Sequence, residues 1–489
     1  MDIAFSHFPY KNPGSSGKDG PPGIPGEWYA GESPSIIDYN KSPIVFIHGL
    51  NGSSHIWRDD NDMDDIAYNQ GFQTAYADLY PASDMWNNGQ LLARQLQEIY
   101  MHFGERVIIV AHSKGGIDSQ TALVHFGASP YVRSVVTLSS PHHGAELADL
   151  AYSSWAGWLA EIIGGKNEAT YSLQTGAMSL FRKRTDTQPN VTEVPFYSLA
   201  GTGWGTFGTA LYWGGLYLRS YGRNDGAVTV ESSRLSYAEE IEVRDWNHYE
   251  IQQGSSTFPL FHDYLYENTE SLQKPPSTYD SPPSAGAYIR GGKCSGEAIE
   301  SFYVEDGVNS ITINWMSEEK HSELTIITPG GEKAADFMVH IDDSSIFQGS
   351  CHHLLTVNNP LEGKWTITSK NKNSHYLLSV LFESRLNKEL DLNIASVSGL
   401  ELTFKKMHAF LQGKQISSTI RVEHYHNSQH TSHKSTWDNM RASSKQISTL
   451  GEGIYNITVD INGRTPCNYP FNRTIIRSIY MDHNGDLLK

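Results

Sequence analysis

An apolar, largely β-branched run, Arg106-Val107-Ile108-Ile109-Val110, leads directly into Ala111-His112-Ser113-Lys114-Gly115-Gly116, and the segment from Ile117 to Phe126 then reads as a helix. This is a strand, a sharp turn carrying a serine, and a helix. Strand and helix can approach this closely only if the outer positions of the turn are small, and here they are Ala111 and Gly115. A turn this tight strains the backbone of its serine and pushes the hydroxyl out beyond the carboxyl end of a sheet. The rest of the first half fits such a sheet. Apolar runs at 43–47, 72–77, 107–112, 132–139, 194–200 and 238–243 alternate with helical stretches at 89–103 and 117–126. That alternation predicts a mostly parallel sheet with helices on both faces.

A serine so placed works as a nucleophile only with a base, an acid that orients the base, and donors for a tetrahedral oxyanion. Upstream, Pro43-Ile44-Val45-Phe46-Ile47 reads as a buried strand running into His48-Gly49-Leu50-Asn51-Gly52, where glycine lets a backbone amide point inward. The amides of Leu50 and Lys114 are therefore the expected oxyanion hole, with the Lys114 ammonium expected in solvent. Downstream, Arg223-Asn224-Asp225-Gly226 fits an acid-bearing loop, and Asp245-Trp246-Asn247-His248 follows the alternating strand Ile241-Glu242-Val243. The chain order Ser113, Asp225, His248 is one in which such triads occur. Asp245 competes with Asp225 for the acid role, but lies only three residues from His248 and reads as a surface or turn residue.

The strand with His48-Gly49-Leu50-Asn51-Gly52, the box around Ser113, Ser139-Ser140-Pro141-His142-His143-Gly144 and Asn224-Asp225-Gly226 together resemble secreted bacterial lipases and esterases of the α/β-hydrolase superfamily, of the Bacillus-type triacylglycerol lipase kind. The resemblance spans residues 25 to 268. It implies an α/β-hydrolase fold, Ser113 as nucleophile, His248 as general base and acid, Asp225 as orienting carboxylate, and Leu50 with Lys114 around the oxyanion. An acyl ester is the expected substrate, and no metal and no cofactor are expected. The lysine after the serine departs from the glutamine that many lipases carry there.

At 489 residues the chain exceeds what one hydrophobic core usually serves. Residues 1–42, rich in glycine and proline, read as an extended entry segment, and 43–272 as the α/β-hydrolase part. Within it, about 145–193 form an insertion larger than a crossover needs. Tyr152, Trp155, Trp158, Leu159, Ile162 and Ile163 recur there at helical spacing, which fits a lid or an ordinary amphipathic helix. A second aromatic cluster, Trp204, Phe207, Tyr212, Trp213, Tyr217 and Tyr221, precedes Asp225. Trp155, Trp158, Trp204 and Trp213 are the expected acyl-binding residues, although aromatics also build cores.

The proline-paired stretch 273–284 reads as a linker. Beyond it, short alternating segments such as Ser310–Trp315, Gly363–Thr368 and Gly453–Val459 predict two β-sandwich units, 285–385 and 386–489, that resemble immunoglobulin-like modules appended to extracellular hydrolases. Such units can bind a polymer, a cell surface, or the catalytic part alone. A polyester depolymerase, or a surface-binding protein with a vestigial hydrolase, is thus the alternative to a plain lipase or esterase.

A net charge of −17 argues against nucleic acid as a partner. No apolar run is long enough to span a membrane. Met1-Asp2-Ile3-Ala4-Phe5-Ser6 lacks the basic and apolar regions of a secretory signal, so an extracellular location requires a signal already removed. All three cysteines, Cys294, Cys351 and Cys467, lie in the second half, where Cys294 and Cys351 are candidates for a disulfide or for buried thiols. Asp59 to Asp65 reads as a solvated acidic helix start in preference to a calcium loop. The histidines 424, 426, 430 and 433 read as a polar hairpin loop in preference to a metal site.

Overall fold

The structure, a computed structural model, describes residues 23–38, 40–157, 166–266, 285–320, 323–334, 336–342, 349–370, 372–396, 399–404, 416–427, 429–437 and 444–488. Most of the glycine-rich entry segment, Trp158 and the linker at 273–284 lie outside the described residues.

The first half runs β1 (Trp28–Ala30), β2 (Ile44–Ile47), α1 (Met63–Asn69), β3 (Thr74–Ala77), α2 (Met85–Phe103), β4 (Val107–His112), α3 (Lys114–His125), β5 (Val132–Leu138), α4 (Glu146–Ala151), α5 (Glu168–Ser172), α6 (Thr175–Thr185), β6 (Phe196–Gly201), α7 (Ala210–Leu218), β7 (Glu239–Arg244) and α8 (Gly254–Phe261). Its strands form one sheet in the order β1-β3-β2-β4-β5-β6-β7, parallel except for β1 at the edge. This is the α/β-hydrolase arrangement. The central strands are continuous apolar runs because both faces are covered. Val45, Ile47 and Ile109 pack with Leu92, Leu96 and Leu123 on one side. Ile44, Phe46, Ile108 and Val110 pack with Phe258 and Phe261 on the other.

Chain order reverses at β2, which lies between β3 and β4. Loops leaving neighbouring strands diverge at such a point and open a crevice at the carboxyl ends. Ile47 is in register with Ala111, so His48-Gly49-Leu50 and Ser113 emerge side by side.

Among its described residues, the second half is β apart from one short 3-10 turn. It comprises β8 (Ala287–Ser295), β9 (Ala298–Val304), β10 (Ser310–Ser317), β11 (Glu323–Ile327), β12 (Lys333–Ala334), β13 (Met338–Ile341), β14 (Cys351–Asn358), β15 (Gly363–Lys370), β16 (Lys372–Glu383), β17 (Leu392–Ser396), β18 (Leu400–Phe404), β19 (Ser417–His426), β20 (Gln429–Trp437), β21 (Ser444–Ile447), β22 (Gly453–Arg464), β23 (Pro470–Met481) and β24 (Leu487–Leu488). One sheet follows the order β13-β14-β10-β16-β8-β23-β22-β19-β20, with β24 on β23; smaller sheets are β12-β11-β15-β9 and β17-β18-β21. The large sheet is continuous through the pairing of Ala287 with Thr474. Two apolar cores lie against it, one around Phe302, Trp315 and Trp365 and one around Leu402, Trp437 and Ile457.

Several side chains depart from expectation. Cys351 pairs with Ser317, Ser317 with Tyr376, and Tyr376 with Gly292, two residues before Cys294. Three strand spacings of about 4.8 Å thus separate the two cysteines, well beyond the reach of a disulfide. Asp64 is buried, not solvated: it pairs with Arg58 Nε at 3.0 Å and accepts from the Tyr76 hydroxyl. The histidine-rich segment at 424–433 is mostly paired strand, with Tyr425 opposite His430.

Candidate active site

Ser113 has φ 53° and ψ −129°, between the end of β4 and the start of α3. A non-glycine residue at positive φ is costly, and this one is held by its surroundings on every side. A Cβ on Gly49 would come within 2.8 Å of the Ser113 Cβ, and one on Gly115 within 2.5 Å of the His48 carbonyl oxygen. Only glycine at these two positions lets the β2 loop and the elbow lie against each other.

Among the described residues, the backbone amides of Leu50 and Lys114 have no protein acceptor, which leaves both available to an oxyanion. His48 orders this loop. The amide of Leu79 donates to its Nε2 at 3.0 Å, so Nδ1 carries the proton and donates to the Gly49 carbonyl at 2.8 Å. Burial lowers the pKa of this ring and keeps it neutral.

The Lys114 side chain corrects the expectation that it is solvated. It is 1% exposed, with Nζ 2.6 and 2.9 Å from the two carboxylate oxygens of Asp118, one turn along α3. Asn88 of α2 donates to the same carboxylate at 3.0 Å. The i,i+4 spacing was visible in the sequence. What hid the pair was α2, whose packing excludes water from it.

Asp225 and His248 follow β6 and β7, at the same end of the sheet. His248 Nδ1 lies 2.7 Å from Asp225 Oδ2, and both side chains are buried. The other carboxylate oxygen, Oδ1, accepts from the amides of Ala227 and Val228 at 3.0 and 2.7 Å. Burial alone would raise this carboxyl; His248 and the two amides outweigh it and hold its pKa below the ordinary carboxylate range. A Cβ on Gly201, at the end of β6, would meet the Asp225 Cβ at 2.8 Å, so the acid loop rests directly on the strand. The His248 ring is 4.7 Å from that of His112, the residue before Ser113. Ser113, Asp225, His248, Leu50 and Lys114 are thus brought together. Asp245 is not part of the couple.

The chain is similar to the lipase BlEst2 of Bacillus licheniformis in its propeptide form, with 39% identity, a TM-score of 0.83, and coverage of 95% of this chain and 100% of that one. The chain belongs to the Bacillus-type lipase/esterase family of α/β-hydrolases. The mature form of the same Bacillus lipase is 53% identical over 50% of this chain and 100% of its own, with a TM-score of 0.49. A family model described as a PGAP1-like α/β domain matches residues 84–154, which in this lipase/esterase family member contain the elbow. The triacylglycerol lipase 2 of Saccharomyces cerevisiae is 29% identical over 162 residues, 31% of this chain, which spans about half (49%) of that protein's length.

The expected acyl-binding tryptophans of this lipase/esterase homologue are placed differently from one another. Trp213 of α7 is 1% exposed and donates Nε1 to Ser379 Oγ of β16 at 2.8 Å. Trp155 donates Nε1 to both oxygens of Asp460 at 3.2 Å, with the guanidinium groups of Arg290 and Arg421 over its ring. These two rings contact the β half instead of facing an open pocket. The physical reason is area: apolar side chains of α4 and α7 share one core with Ile289, Met316, Leu354, Leu377, Leu381 and Ile476 of the β strands. Trp204 is half-buried against Gly215 and Tyr212, and Trp158 lies outside the described residues. The insertion is held by the same half. Thr175 Oγ1 donates to the Ser478 carbonyl at 3.1 Å, Asn456 donates to the Asp149 carbonyl at 2.7 Å, and Ser154 donates to Glu423 at 2.7 Å.

Proposed function

We propose that this chain is a serine carboxylic-ester hydrolase, a lipase or esterase, made with its C-terminal half as a covering proregion. Ser113 attacks the ester carbonyl while His248 takes its proton at Nε2. The tetrahedral oxyanion receives the amides of Leu50 and Lys114, worth about 3 kcal/mol each in the transition state. His248 then protonates the departing alcohol, Asp225 stabilises the imidazolium, and water cleaves the acyl-enzyme by the same path. The observation that carries this reading is the strained Ser113 elbow beside a histidine whose Nδ1 is taken by a buried carboxylate. No cofactor enters the scheme.

Similarity to the propeptide form of the Bacillus relative over 95% of this chain, together with the packing of the β half on α4 and α7, supports assigning residues 285–489, in two units at 285–385 and 386–489, to a proregion. Its contacts agree. Ser379, Asp460 and Asn456 are engaged with the catalytic half, which favours a covering role over anchoring to a polymer. Departure of the β half would free Trp155 and Trp213 to join Trp204 against an acyl chain. The resemblance to secreted bacterial lipases supports action outside the cell.

The test is hydrolysis of p-nitrophenyl esters from acetate to palmitate by the full chain, before and after limited proteolysis between the halves, with Ser113→Ala as blank. Serine-dependent turnover that rises on cleavage is expected, and the chain-length profile separates lipase from esterase. Folded protein with no Ser113-dependent turnover in either form refutes the reading.

A further inference from the structure

His112 is buried and has no role in the reaction as written above. Its Nε2 lies 2.8 Å from the main-chain carbonyl oxygen of His248, 136 residues away. A carbonyl oxygen can only accept, so Nε2 carries the proton. Burial, reinforced by His248, pushes the His112 pKa down to about 3. The ring is therefore neutral wherever an ester hydrolase of this kind works, and adds no charge beside the imidazolium that forms on His248.

The bond completes a three-point hold on the base. The His248 amide donates to the Asp225 carbonyl at 3.0 Å, its Nδ1 bonds the Asp225 carboxylate at 2.7 Å, and its carbonyl accepts from His112. The first two points fix His248 to the acid. The third fixes it to the residue adjoining the nucleophile, across two loops that share no sequence neighbourhood.

We propose that His112 is a positioning residue, whose Nε2–H bond to the His248 carbonyl sets the distance and tilt of the general base relative to Ser113. The proposal rests on the triad reading above and adds a residue to it. A misplacement of about 1 Å between reacting groups costs on the order of 100-fold in rate.

Full-chain variants, assayed before and after limited proteolysis, test this. His112→Phe keeps the ring bulk and removes the donor, with His112→Leu as a smaller equivalent should the Phe variant not fold. His112→Gln keeps a donor near the Nε2 position. The readouts are kcat and KM on p-nitrophenyl butyrate, the pH profile of kcat/KM, thermal unfolding, and the low-field proton resonance of the His248–Asp225 hydrogen bond. Removing the donor is expected to lower kcat by about 30- to 300-fold with KM within about threefold. It should also shift the acidic limb of the profile and broaden the low-field resonance. Glutamine should recover most of kcat. A folded Phe or Leu variant with wild-type kcat and a sharp resonance overturns the proposal, as does glutamine performing no better than phenylalanine. Failure of the triad itself is seen separately, as turnover that survives His248→Ala.

Discussion

Among the described residues, two fully buried Asp–His couples stand out, one in each half. In the catalytic half, His248 gives Nδ1 to Asp225 at 2.7 Å, and in the β half His352 gives Nε2 to Asp342 at 3.0 Å. By burial and distance they are near twins. They differ in what remains. His352 spends Nδ1 on the side-chain amide of Asn314 at 3.1 Å, and its ring packs 5.4 Å from that of Trp213. Both nitrogens are consumed, so the couple holds the β half against α7. His248 has only Nδ1 committed to its carboxylate, and its ring lies against the elbow beside Ser113. The catalytic role proposed for the His248 couple rests on the nitrogen it leaves uncommitted beside the elbow.

The same substitution made in both couples should separate them most. Asp225→Asn should lower kcat by roughly 10³- to 10⁴-fold, because the amide favours the wrong tautomer of His248. Asp342→Asn should leave kcat of the proteolysed form unchanged. Ester turnover and thermal unfolding measured on both variants check this; equal losses of activity would erase the distinction.

A second effect belongs to the β-half couple. His352→Leu removes the imidazole that bonds both Asp342 and Asn314 and should cost about 1–3 kcal/mol. The expected result is a lower unfolding temperature and weaker docking of the halves once the connection between them is cut.

Docking should also depend on pH, through carboxyls that neither couple uses. Glu146 and Asp149 of α4 are buried beside β23, and burial raises both to about 7. Arg477, Tyr217, Tyr221 and Thr175 face them. A carboxyl whose pKa is raised on docking favours the docked state while protonated. That advantage is lost as pH climbs from the ordinary carboxylate range through about 7. The dissociation constant of the cleaved halves should therefore increase between pH 5 and pH 8, by a free energy on the order of 1–3 kcal/mol. A flat profile by calorimetry would remove α4 from the account of docking. The smallest effect is expected from Ser379→Ala, which deprives Trp213 Nε1 of its acceptor and should weaken docking by about 1 kcal/mol.

What was legible in the chain was local. The elbow at 111–116 could be read because glycine and alanine at fixed offsets, between a β-branched run and a helix, admit few backbone paths. The sheet strands could be read because a strand buried on both faces is an uninterrupted apolar run. The proposed order Ser113, Asp225, His248 rests on each residue's place after a strand. Lys114 was misjudged because its sequence neighbours say nothing about α2, which closes over it with Asn88. Trp155 and Trp213 could not be placed for the same reason. An aromatic at helical spacing is apolar whether it meets a substrate or a sheet from another part of the chain, and here Ser379 and Asp460, 166 and 305 residues away, decide.

Local sequence accounts for the turn that strains Ser113, the alternation of strand and helix that puts loop ends on one edge, and the β character of the described residues from 285 onward. Each depends on backbone geometry and side-chain periodicity over a few residues. Packing between distant segments selects which amides of the elbow and the β2 loop stay open, which histidine nitrogen is left over, and that the β half covers α4 and α7. Those outcomes turn on burial and on partners distant in the chain, and burial is a property of the packed molecule.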